Sequence, residues 1–100
     1  MNMQQMMMQA QKMQRDLNKA MSELDSKEFT LTKGGAVTVT MLGSHKVKAV
    51  SINDEVLSAE NKDMIEDLIV IAINEIHEMI EKARGDINEK ITGRRNGLGM

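Results

Sequence analysis

The 100-residue chain contains no cysteine, no proline, no tryptophan and no tyrosine, and its single Phe is Phe29. Without cysteine there is neither a disulfide framework nor a thiol nucleophile, a composition that fits a reducing cytoplasm. With one aromatic ring, the chain lacks the stacking platform on which single-stranded nucleic acid is usually held. The longest unbroken apolar run, Leu68 to Ile73, is six residues, far short of the ~20 that span a bilayer. Met and Gln stand where an export signal would place a basic and then an apolar region. These absences predict a soluble, intracellular protein with no membrane partner. The length is that of one domain with a modest core.

What is present is strongly patterned. Apolar residues fall at Met3, Met6, Ala10, Met13, Leu17, Ala20 and Leu24, in alternating steps of three and four. That is the stripe of a helix lying against another helix along its length. Gln, Met, Lys, Arg, Leu and Ala dominate the segment, all good helix formers. The spacing predicts a first helix from about Asn2 to Leu24, ended by Asp25 and Ser26. In so short a chain, part of its partner is expected in a second subunit.

Three stretches then alternate with period two: Glu28–Lys33, Ala36–Leu42 and His45–Ile52. Gly34-Gly35 and Gly43-Ser44 separate them, which predicts hairpins and an antiparallel meander. A two-residue turn at Gly34-Gly35 would oppose Phe29 and Thr40, mixing apolar with polar. A three-residue loop, Lys33-Gly34-Gly35, pairs Leu31 with Val37 and Phe29 with Val39, and the pattern prefers it. A phase change near Ala49-Val50 predicts a bulge. The opposite face reads Thr30, Thr32, Thr38, Thr40, Lys46 and Lys48.

Asn53-Asp54 signals a turn. A second long helix is expected from Ser58 or Asn61 to about Ile91, with Gly93 as its stop and Gly85 as a loosening point. Between Leu68 and Ile76 it is apolar over more than one face, so it must be covered on two sides. The sheet supplies one cover and a second copy of the helix the other. Leu68, Ile69, Ile71, Ala72, Ile73 and Ile76 are therefore the expected dimer interface. The expected organisation is a single α-β-β-β-α domain over residues 1–92 and a flexible basic tail over 93–100. The fold class is α+β.

Little in the sequence points to catalysis. His77 and Glu81 are four apart, but a zinc site needs three or four convergent ligands, so the two histidines read as a solvated helix residue and an exposed turn residue. The cluster Met1, Met3, Met6, Met7 and Met8 has no Cys or His nearby to complete a copper(I) site and reads as loosely packed helix surface. Glu66, Asp67, Glu75, Glu78 and Glu81 read as a solvated face, with Glu78–Lys82 an i,i+4 pair. No phosphate loop, nucleophile elbow or dinucleotide fingerprint occurs. No enzyme activity, cofactor, metal or small-molecule substrate is expected.

The charge distribution is more informative than the net −2. Residues 1–25 are neutral overall, 26–52 carry +3, 53–91 carry −7, and Arg94 and Arg95 add +2 in the tail. On the first helix, opposite the apolar seam, lie Gln5, Met8, Lys12, Arg15, Lys19 and Ser22, with Asp16 and Glu23 off that stripe. Such a stripe either lays cations along a phosphate backbone or is an ordinary solvated face. Lys46 and Lys48 form a second basic surface.

Four segments together resemble the YbaB/EbfC family of bacterial nucleoid-associated proteins. They are Gln4-Gln5-Met6-Met7-Met8-Gln9-Ala10-Gln11-Lys12-Met13-Gln14, Gly34 to Thr40, Gly43 to Asp54, and Lys62 to Ile69 running into Ala72 and Asn74. The resemblance covers about residues 4–92, in the family's order. It implies a tweezer-like homodimer in the cytoplasm, associated with the nucleoid. It also implies binding of double-stranded DNA with little sequence preference, a change in DNA conformation, and no cofactor. The candidate DNA contacts are Lys12, Arg15 and Lys19, then Lys46 and Lys48, then Arg94 and Arg95. The competing reading is a dimeric adaptor that binds other proteins through the acidic second helix or the Met-rich first one.

Overall fold

The structure, a computed structural model, describes residues 2–93. Helix α1 spans Met3–Ser26, strands β1, β2 and β3 span Glu28–Lys33, Val37–Leu42 and Val47–Ile52, and helix α2 spans Lys62–Thr92. Two single turns of 3-10 helix, Asp54–Val56 and Ala59–Asn61, lead into α2. The strands form one antiparallel sheet in the order β1-β2-β3. Among the described residues no helix is long and apolar enough to cross a membrane. The expected 93–100 tail falls, apart from Gly93, outside the described residues, and so do Arg94 and Arg95.

Helix α1 begins where Asn2 Oδ1 accepts from the Gln5 N–H at 2.7 Å, a side-chain cap for an otherwise orphaned donor. Helix α2 runs unbroken through Gly85, which is buried, and stops at Gly93, whose φ of 82° is the left-handed conformation a glycine cap supplies. Asn61 precedes α2 without capping it; its amide instead donates to the Val56 carbonyl at 2.8 Å.

The core forms where α2 lies across β1 and β2. Phe29, Val37, Val39 and Met41 face Ile65, Ala72, Ile76 and Ile80, with Leu24 closing one end. The register pairs Leu31 with Val39 and Phe29 with Met41, two residues away from the expected pairing of Leu31 with Val37. The hairpin loop is Gly34-Gly35-Ala36, not Lys33-Gly34-Gly35. Both glycines adopt positive φ, and the Ala36 N–H closes the turn on the Lys33 carbonyl at 3.0 Å. Ala36 is itself buried, and its carbonyl accepts from Asn53 N–H at 2.8 Å. A shift of two leaves every side chain on its expected face. On the other face, Thr30–Thr40 and Thr32–Thr38 hydroxyls meet at 3.2 and 2.8 Å. The bulge lies at Lys48, because the partners of Thr40 and Met41 are Ala49 and Val47.

Strand β3 continues the core face of the sheet with Val47, Val50 and Ile52, but α2 does not extend over it, and Val50 is 44% exposed. On α2, Ala72 and Ile76 are wholly buried within one chain, so their surface is already taken by the sheet. Leu68, Ile69 and Ile73 are half-buried against the same core, and Ile71 is exposed together with Val70.

Candidate nucleic-acid interface

Helix α1 divides into a docked half and a projecting half. Leu24 is buried and Leu17, Ala20 and Met21 are half-buried, whereas every residue from Asn2 to Asp16 is exposed. At 1.5 Å per residue the 24-residue helix is ~36 Å long, and the end of α2, Lys90 and Ile91, still borders it at Gln9, Lys12, Met13 and Asp16. Of the seam, Met3 and Met6 are 75% and 57% exposed, whereas Met13, at 41%, lies beside Ile91 of α2.

Three contacts set the angle of this arm. The Gly43 N–H donates to the Lys27 carbonyl at 2.9 Å, and the Ser44 N–H donates to the Asp25 carbonyl at 3.2 Å. Arg84 of α2 completes the joint: its Nη2 donates to Asp25 Oδ1 at 3.0 Å and to the Gly43 carbonyl at 2.9 Å, and its Nη1 lies 3.6 Å from Met21 Sδ. One guanidinium therefore ties α1, the β2–β3 turn and α2 together. Replacing Arg84 with Met keeps the aliphatic stem but leaves the partly buried Gly43 carbonyl without its donor and Asp25 without its cation. A loss of about 2 kcal/mol is expected, read as a lower urea midpoint at unchanged slope.

The candidate cations fall into distinct settings. Lys12, Arg15 and Lys19 lie on α1, all exposed. Lys12 Nζ meets Asp16 Oδ2 at 3.0 Å, so Asp16 reaches the stripe it was expected to avoid. Both side chains are largely exposed, and the lysine is N-terminal to the acid, the less favourable order; such a pair is worth little and yields readily to a phosphate. Arg15, Lys19 and Lys46 have no ion-pair partner among the described residues. Lys48 pairs with Glu28 across the polar face of the sheet. Lys46 follows the turn that abuts the C-terminal end of α1, so the second basic surface adjoins the base of the arm.

Charge is unevenly distributed over this scaffold. No acid precedes Asp16 in the chain, whereas the −7 of residues 53–91 is concentrated on α2 and its approach. The field of α2 and its approach is therefore negative, and that of the N-terminal part of α1 is not, each felt over a range near the ~8 Å screening length of physiological salt.

Two arrangements have no signal in the local sequence. His45, at φ 71°, places Nδ1 3.0 Å from His77 Nδ1, with Glu81 Oε2 3.7 Å from His45 Nε2. One ring must donate and the other accept, so the contact pins the β2–β3 turn to α2; the two histidines are not the separate solvated residues expected. Lys82 pairs with Asp86 at 3.1 Å, not with Glu78. Among the described residues no group of three or more His, Cys, Asp or Glu is placed to hold a metal.

Residues 1–95 match the YbaB/EbfC DNA-binding family. The chain is 38% identical over 100 residues to a nucleoid-associated protein of Clostridium kluyveri, covering 99% of this chain and 88% of that one. It is 38% identical over 91 residues to a nucleoid-associated protein of Mycoplasmopsis pulmonis, covering 91% and 90%. The fold is similar to the crystal structure of an uncharacterized protein from Helicobacter pylori, with a TM-score of 0.75 at 20% identity, over 93% of this chain and 99% of that chain.

Proposed function

Since the chain belongs to the YbaB/EbfC DNA-binding family, we propose that it is a nucleoid-associated protein of the cytoplasm that grips double-stranded DNA as a homodimer. The observation that carries this reading is the projecting half of α1, acid-free before Asp16 and bearing Lys12, Arg15 and, nearer the body, Lys19 on one side. Cations at that spacing meet phosphates, which position a protein without reporting sequence, so binding has little sequence preference. Lys46 and Lys48 extend the contact toward the body, and Arg94 and Arg95 are further candidates in the tail. Altered DNA conformation and effects on nucleoid organisation and gene regulation follow from coating or bending of this kind.

Dimerisation rests on apolar surface that one chain leaves bare. Val47 and Val50 on β3, and Val70 and Ile71 on α2, are exposed, and a second copy hides them at a gain of roughly 25 cal/mol per Å². Within the expected interface, Ile71 contributes directly. Leu68, Ile69 and Ile73 add their uncovered edges, and Ala72 and Ile76 act only by supporting the helix from beneath. Two arms brought together in this way form the jaws of a tweezer.

Sedimentation velocity with and without a short labelled duplex tests both parts. The expected result is a two-subunit species that carries the duplex at low salt and releases it as salt rises. A monomer that leaves the duplex free at low salt would reject the reading.

A further inference from the structure

One side chain on the arm breaks the logic of a solvated face. Met8 is 62% exposed and, at about 100° per residue, lies between the directions of Lys12 and Arg15. It is nine residues from Leu17, half a revolution away, so it points opposite the docked seam. No partner that covers Met3, Met6, Ala10 and Met13 also covers Met8. Its neighbours on that side are Gln4, Gln5, Gln11 and Lys12, all polar.

Resting on the DNA-binding reading above, we infer that Met8 is a wedge that enters between base steps while Lys12 and Arg15 hold the adjoining phosphates. Along the helix Met8 stands ~6 Å before Lys12 and ~10 Å before Arg15, so a duplex drawn onto those cations is drawn onto the thioether too. Met is unbranched, flexible and polarizable, and apolar side chains of this kind unstack base steps and kink the duplex toward the major groove. The flanking glutamine amides supply both donors and acceptors, which suits the acceptor-rich floor of an opened minor groove. Charge brings the duplex, and Met8, among the described residues of the arm the single apolar one on the charged side, deforms it. In a dimer, the two arms place two such wedges.

End-to-end energy transfer on a doubly labelled duplex tests the inference, with Met8→Gln and Met8→Leu beside the wild type. Gln and Met have similar helix propensity and the site is exposed, so both variants fold. The wild type is expected to shorten the end-to-end distance. Met8→Gln should bind within about threefold of wild type, because lost wedge burial is offset by unstacking avoided, with the same salt dependence but a straight duplex. Met8→Leu should restore the bend. Binding without a bend in the wild type, or a bend that survives Met8→Gln, overturns the wedge and leaves the DNA-binding reading standing. A wild type that binds no duplex overturns both.

Discussion

Gly43→Ala is expected to lower stability at or beyond the upper end of the about 1–3 kcal/mol typical of overpacking. A Cβ built on Gly43 would lie 1.9 Å from the Leu24 carbonyl oxygen and 2.7 Å from its carbon. The obstacle is backbone, not a side-chain tip that can rotate away. Nor can the two segments drift apart freely, because Gly43 N–H, Ser44 N–H and Arg84 hold them by hydrogen bonds of 2.9, 3.2 and 2.9 Å. The added methyl must break that joint or swing α1 off the sheet. Gly35→Ala is the control: its φ is +63° but nothing lies within 4 Å of a new Cβ, so only backbone strain of about 1 kcal/mol is felt. Urea unfolding of the two variants measures the difference. Equal midpoints would mean that the close approach at Gly43 does not govern the joint.

The triple replacement Lys12→Ala, Arg15→Ala and Lys19→Ala should leave stability nearly untouched, since all three side chains are exposed and the Lys12–Asp16 pair is worth little. Its effect on DNA should be large. Each phosphate that is no longer neutralised flattens the plot of log K against log salt by about 0.9, hence about 2.7 per engaged arm, or two to three decades of affinity near ~0.1 M salt. The loss should be uniform across sequences. Gel shifts over a salt series, on two unrelated duplexes, measure both slope and uniformity. An unchanged slope would remove α1 from the interface, and a loss confined to one duplex would point to base readout instead.

The contrast between these two experiments follows what the sequence could and could not show. Helix α1, the three strands and α2 were legible because each carries an unbroken period, and the stop at Gly93 because its position after the last periodic residue is a capping signal. Parity fixed which face each strand buries, but not whether Ala36 belongs to the strand or the loop. Its buried place and its bond to Asn53 decided that, and both are tertiary. A helix apolar on several sides, as α2 is from Leu68 to Ile76, does not announce which stripe the sheet will take. Hence Ala72 and Ile76 lie inside and Ile71 outside. The Arg84 joint links residues up to 63 apart in sequence and the histidine pair residues 32 apart; no local pattern reports such meetings. The arm cations were legible as a stripe, whereas the exposure of Lys12, Arg15 and Lys19 beside α2 is again a tertiary property.

The point near Leu17 before which α1 is exposed carries a cost and a benefit for whatever the arm holds. Upstream of it the helix has only the end of α2 beside it, at Gln9 to Asp16, and its first residues rely on their own backbone bonds, which alone leave a short helix marginal in water. Such a finger stiffens as it closes, giving up some tightness of grip to the ordering. In exchange it conforms to duplexes of differing curvature, as the proposed binding with little sequence preference demands.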